Sequence, residues 1–174
     1  MMDIYLIGYM GSGKSTIGRL LADKMDRSFV DFDDFIEENE GMSIPKLFKT
    51  KGEIYFRKIE MKYLEELLLE KEGGRVIALG GGTPCYGNNM DRLQRAKVKT
   101  IYLNVSYKAL ARRLWDNNNN RPLVATIDTY EALEDYVRKH LFERSYFYNQ
   151  AEIILKIGSE SEEETINKII SILF

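Results

Sequence analysis

Cysteine and histidine are almost missing from this sequence. Cys85 and His140 are the single examples of each. One cysteine cannot form an intrachain disulfide, which suits a reducing compartment, and one Cys with one His cannot build the usual Cys/His zinc site. An excess of basic charge is also missing. Lys and Arg number 25 against 27 Asp and Glu, a formal net charge of -2, so the bulk charge attracts neither nucleic acid nor an anionic membrane. No apolar run approaches the ~18 residues that signal a membrane span. The start of the chain enters an apolar strand pattern at Ile4 without the basic, apolar and cleavage segments of a secretory leader. A cytoplasmic protein that binds neither nucleic acid nor membrane is expected.

What is present fits one domain. A chain of 174 residues with 44% apolar content can bury one α/β core and leaves little room for a second. There is no internal repeat and no long linker. Short β-rich runs alternate with helical stretches, the pattern of parallel strands joined by crossover helices. Strands are expected at Ile4 to Ile7, Phe29 to Asp31, Arg75 to Leu79, Lys99 to Leu103 and Glu152 to Ile157. Helices are expected at Lys14 to Asp26, Glu53 to Glu70, Asn88 to Arg95, Tyr107 to Trp115, Asp128 to Asn149 and Glu162 to Leu173. In the second of these, Phe56, Ile59, Tyr63, Leu64, Leu67 and Leu68 recur near the helical period. Two stretches break the alternation. Asp33 to Lys51 reads as an insertion with short helical pieces, and Asp116 to Thr126 carries four consecutive Asn residues before Arg121-Pro122. Asparagine favours turns, so the second stretch is either a surface loop or a mobile flap.

Gly8 to Ser15 match the pattern G-x-x-x-x-G-K-[ST], between an apolar strand and a helix. Gly11 and Gly13 let the backbone curl, so that the amides of Gly11 to Thr16, Ser12 included, point at phosphate oxygens beside the helix dipole. Lys14 brings positive charge to β- and γ-phosphates, and the Ser15 hydroxyl suits Mg²⁺. The motif implies nucleotide binding but does not name a phosphate acceptor.

Three further features offer an acceptor site. Asp31 and Asp33, two apart at a strand end, project to one side if the chain is extended; alternatively they are helix-capping aspartates. Arg57 and Glu60 share a helix face, either as a surface pair or with Glu60 orienting Arg57 toward a carboxylate. Gly80-Gly81-Gly82 follows the strand Val76 to Leu79, where either a close ligand or a tight turn demands bare backbone. No Asp follows that strand, which makes Asp31 the candidate to support a metal.

In this order, Gly8 to Thr16, Asp31 to Asp33, Gly41 to Phe48, Gly52 through Arg57 to Glu60, Gly80 to Gly82, Arg121 to Leu123 and Arg144 to Tyr148, the sequence resembles the shikimate kinase family. The resemblance covers Gly8 to about Tyr148. It implies a three-layer, doubly wound, five-stranded parallel sheet of the P-loop kinase type, with an acceptor-binding region at 32–60 and a mobile lid at 115–126. It implies transfer of phosphate from ATP to the 3-hydroxyl of shikimate, with Mg²⁺, on the route to chorismate and aromatic amino acids. By position, Asp33 would bind the reacting hydroxyl and act as base. Arg57 and Arg144 would hold the carboxylate, with Glu60 behind Arg57. Gly80, Gly81 and Gly82 would approach the ring, while Phe48 and Phe56 wall the pocket. Asp31 would reach Mg²⁺ through water. Arg121 would close over ATP and neutralise charge on the transferring group.

The adenine pocket departs from the family pattern. Arg112 and Arg113 compete for one role, with Arg113 preferred, and the segment Lys156 to Glu160 replaces the usual element after the last strand. A gluconate or nucleoside-monophosphate kinase and a non-catalytic nucleotide-binding module are the alternatives. A monomer is expected. His140 is expected to be a packed or solvated helical residue, and Cys85 to lie near the pocket without activation.

Overall fold

The structure, a computed structural model, describes residues 2–70, 73–117, 124 and 126–174. Five parallel strands form one sheet: β1 (Ile4–Ile7), β2 (Phe29–Asp31), β3 (Val76–Ala78), β4 (Lys99–Val105) and β5 (Ile153–Ile157), in the order β2-β3-β1-β4-β5. Around them lie α1 (Lys14–Lys24), α2 (Phe32–Glu40), α3 (Ile44–Leu69), α4 (Asn89–Arg95), α5 (Tyr107–Asp116), α6 (Tyr130–Tyr148) and α7 (Glu162–Leu173).

The alternation of β1 divides the layers. Ile4 and Leu6 point to one face, where they meet Ile17 and Leu21 of α1 and Ile166 and Ile169 of α7. Tyr5 and Ile7 point to the other, into a larger cluster with Phe56, Ile59 and Leu64 of α3, Leu110 of α5 and Val137 of α6. Both faces of the central strand are therefore apolar, as a parallel sheet covered by helices requires.

The expected strands all form, with shifts of a residue or two at their ends. Helix boundaries differ for identifiable reasons. Helix α1 stops at Lys24, since Asp26 takes a left-handed φ of 52°. Helix α6 begins at Tyr130, two residues later than the periodicity predicts, because the Thr129 hydroxyl caps it by accepting from the Ala132 amide. The insertion folds as α2 plus the first limb of α3, and the two limbs of α3 meet at Gly52, whose φ of 82° and ψ of 170° break the helix. Glu40, ending α2, accepts from Tyr55 and Tyr63 hydroxyls of the second limb at 2.9 and 2.8 Å. That clamp sets α2 against α3. Among the described residues, no helix is long and apolar enough to cross a membrane.

Parallel strands end on the same edge. The loop after β1, the start of α2 after β2 and the glycines after β3 therefore converge above the carboxyl ends of three adjacent strands, the usual crevice of an open α/β sheet.

Candidate active site

The loop between β1 and α1 curls because Gly11 and Gly13 adopt φ values of 79° and 92°, which side-chain-bearing residues rarely tolerate. Ser12 N donates to Tyr9 O at 3.1 Å, closing the turn. Lys14 Nζ folds back to donate to the carbonyls of Gly8 and Tyr9 at 2.9 and 3.0 Å, so its charge sits in the mouth of the loop. Among the described residues, the buried Ser12 hydroxyl has no hydrogen-bond partner.

At the end of β2, the two aspartates come together by a different route from strand alternation. The strand stops at Asp31, which is the N-cap of α2, and its Oδ1 accepts from Asp33 N at 3.1 Å. Asp33 is thus in the first helical turn, not on an extended chain. The capping reading of Asp31 is correct and does not remove it from the site. Its other oxygen accepts from the Ser15 hydroxyl at 2.6 Å. Hydroxyl and carboxylate at an accessible surface are the hard oxygen donors that Mg²⁺ prefers, with room for water and phosphate oxygens.

Asp33 is exposed at the crevice, with the carboxylates of Asp31 and Glu60 and the Lys14 ammonium around it. Burial, then the neighbouring Asp31 and Glu60 charges, push its pKa from 3.8 up to about 6, while Lys14 pulls the other way.

Each residue of the glycine triplet lies against a different one of the expected acceptor-site side chains. A Cβ on Gly80 would stand 2.7 Å from Asp33 Oδ1, and one on Gly82 would stand 3.0 Å from Arg57 Nη1. At Gly81 a Cβ would lie 3.4 Å from both Arg144 Nη1 and the Met10 amide of the phosphate loop. The turn reading has a physical basis, since Gly80 O accepts from Thr83 N at 3.1 Å, and the protein's own side chains crowd the three positions.

Arg57 is held from several sides. Nη1 donates to Glu60 Oε2 at 2.9 Å, and Nε lies 3.5 Å from Glu53 Oε1. Glu60 is only 2% exposed, and its other oxygen accepts from Thr83 Oγ1 at 2.7 Å, so the pair is not an ordinary surface contact. Arg144, on α6, is also buried. One turn further on, Tyr148 donates to Gly81 O at 2.6 Å. Phe48 and Phe56 pack with ring centroids 4.6 Å apart, Phe56 buried and Phe48 half open to solvent.

The two arginines of α5 have different surroundings. Arg113 Nη1 donates to Gly11 O at 3.2 Å, whereas Arg112 turns over the Tyr130 ring. Arg121 lies outside the described residues, as does most of the expected lid; of its neighbours, Val124 is fully buried in the core. His140 packs as expected: Nδ1 pairs with the Tyr9 hydroxyl at 2.9 Å, and burial lowers its pKa to about 4, leaving it neutral. Burial raises the Cys85 thiol to about 11, so it is no activated thiolate. Ser161 and Glu164 form a capping box at the start of α7.

Two roles were invisible to pattern reading. Thr83 anchors Glu60, and Tyr148 anchors Gly81, through contacts 23 and 67 residues apart in sequence. No local motif announces either.

A family model described as shikimate kinase matches residues 10–174. The chain belongs to the shikimate kinase family. It is 43% identical over 173 residues to a shikimate kinase of Flavobacterium johnsoniae, covering 99% of each chain. The crystal structure of shikimate kinase from Bacteroides thetaiotaomicron superposes with a TM-score of 0.89 at 34% identity, covering 99% of this chain and 98% of that one. Shikimate kinase from Acinetobacter baumannii, in complex with shikimate, superposes with a TM-score of 0.87 at 31% identity, covering 99% and 93%. The match spans the whole shikimate kinase fold, including α7, which lies beyond the motifs legible in the sequence.

Proposed function

We propose that this chain transfers the γ-phosphoryl group of ATP to the 3-hydroxyl of shikimate, giving shikimate 3-phosphate and ADP. One observation carries the conclusion. Asp33, Arg144 and Arg57 each reach one residue of the glycine triplet, where a Cβ on Gly80, Gly81 or Gly82 respectively would crowd them, and a Cβ on Gly81 would also meet Met10 N of the phosphate loop. An anion-gripping pair and a proton acceptor therefore border the nucleotide site itself.

The residue roles follow from charge and reach. Arg57 and Arg144 hold the substrate carboxylate, Arg57 presented by Glu60. Asp33 orients the hydroxyl and takes its proton as the O–P bond forms; a carboxylate near 6 is a better base than an ordinary one at neutral pH. Lys14 exchanges its two carbonyl contacts for phosphate oxygens, the Gly11 to Thr16 backbone cradles them, and Arg113 lies beside Gly11 on the nucleotide side. Ser15 and, through water, Asp31 would hold Mg²⁺, which when bound offsets phosphate charge. Phe48 and Phe56 wall the apolar side of the pocket. Arg121 keeps its proposed role on the lid from its sequence position alone. The protein works as a cytoplasmic monomer in this proposal.

A coupled ADP-release assay with shikimate, gluconate and nucleoside monophosphates tests the substrate. Turnover with shikimate alone is expected; faster turnover with either alternative refutes the assignment. Arg57→Ala should weaken shikimate binding at least tenfold by calorimetry and leave ATP binding within about twofold, in line with the loss of a charged hydrogen bond of ~1.5–3 kcal/mol. Equal losses for both ligands would place Arg57 elsewhere.

A further inference from the structure

Arg57 has one more neighbour that no sequence motif marks. Its guanidinium carbon lies 3.8 Å from the centroid of the Tyr86 ring, over the ring, closer than any other cation–aromatic pair among the described residues. Tyr86 directly follows the short 3-10 turn Thr83–Cys85 that continues the glycine triplet, and its carbonyl accepts from Asn89 N at 3.1 Å, which pins it to the start of α4. The same backbone segment thus supplies Gly82 under the guanidinium nitrogens, Thr83 to Glu60 and Tyr86 to the guanidinium face.

We infer that Tyr86 is a positioning residue for substrate binding, which holds the Arg57 plane by stacking and so presents its fork to the substrate carboxylate. This rests on the reading of Arg57 given above. The physical case is one of degrees of freedom. Glu60 accepts from Nη1 at 2.9 Å, while Glu53 lies 3.5 Å from Nε without making a hydrogen bond to it. One hydrogen bond leaves rotation of the guanidinium about it weakly restrained. A ring face 3.8 Å away opposes that rotation, and its quadrupole favours a cation there. A bidentate contact depends on orientation, so a guanidinium free to swing loses ordering entropy each time it binds. Tyr86 is 39% exposed, so its side chain contributes little to the core and can be changed without a cavity.

Steady-state kinetics and calorimetry on the full chain test this. Tyr86→Ala is expected to raise the shikimate KM and Kd about three- to tenfold, leaving kcat and the ATP KM within about twofold and the melting temperature unchanged. Tyr86→Phe keeps the ring and should restore near-wild-type values. In an Arg57→Ala background, removing Tyr86 should add no further loss. Unchanged shikimate affinity in Tyr86→Ala, alongside a crippled Arg57→Ala, overturns the stacking role alone. A Tyr86→Phe as weak as the alanine variant also overturns it and assigns the effect to the hydroxyl. Intact affinity in Arg57→Ala overturns the underlying reading of that arginine.

Discussion

At the residue scale, the fold makes the Asp33 carboxylate harder to ionise than in the unfolded chain. Its folded pKa of about 6 exceeds the unfolded 3.8, so between those values the native state holds more protons. Stability from this group therefore falls as pH rises through that window, and the penalty is complete above about 6. Asp33→Asn should accordingly melt higher than the parent at pH 8, with the gap closing toward pH 4. The same change removes the proposed base, and kcat should drop about a hundredfold or more. Differential scanning calorimetry across pH, paired with turnover, checks both halves; a destabilised Asp33→Asn at pH 8 would contradict the burial argument. In the parent enzyme, kcat/KM for shikimate should decline on the acid side of about pH 6 as Asp33 protonates. Lys14, Ser15 and Asp33 were legible as chemistry because a dense motif and a strand end mark them. Thr83, Tyr86 and Tyr148 were not, since Thr, Tyr and backbone carbonyls carry no signature until folding supplies the partner.

At the element scale, helix ends and breaks decide the shape of the acceptor side. Gly52 divides α3 at a φ of 82°, where a Cβ would meet nothing but the backbone conformation itself is strained for other residues. Gly52→Ala should cost about 1 kcal/mol of stability. It should also raise the shikimate KM, because Phe48 sits on the limb before the break, and Phe56 and Arg57 on the limb after it. A shikimate KM unmoved by Gly52→Ala would separate the break from acceptor binding. The remote α7 offers a control. There the Ser161 hydroxyl accepts from Glu164 N while Glu164 accepts from Ser161 N, a reciprocal cap. Ser161→Ala should lower stability by about 1 kcal/mol in urea unfolding and leave kinetic constants unchanged. The helical periods predicted these elements well, but caps moved their ends, because a hydroxyl such as that of Thr129 competes for amides that periodicity ignores.

At the scale of the whole molecule, the sheet's two ends do different work. The carboxyl ends carry the site; the other end is fastened by Arg75, before β3, whose guanidinium donates to Asp3 Oδ2 at 2.7 Å and to Leu67 O at 2.8 Å, and also pairs with Glu70. Asp3 precedes β1 and also accepts from Arg75 N at 2.8 Å, so one buried pair joins two central strands to the end of α3. Arg75→Ala leaves that buried carboxylate without its counter-charge, keeping only the backbone amide, at a cost of about 3–5 kcal/mol. Denaturant unfolding should register the loss, while the specific activity of the folded fraction stays the same. Light scattering should give a mass near 20.2 kDa if the chain works alone.

The order of glycines, aspartates and arginines along the chain was sufficient to determine the phosphate loop, the alternation of strands and helices and the family, since each depends on residues close in sequence or on a motif. Tertiary structure alone decided how the acceptor grip is held. Arg57 needs Glu60, Thr83, Gly82 and Tyr86, and Arg144 needs Gly81 and Tyr148, and these meet only when β3 lies between β1 and β2 with α6 folded back across their ends. Side-chain orientation is a property of neighbours in space, and a one-dimensional pattern does not encode it.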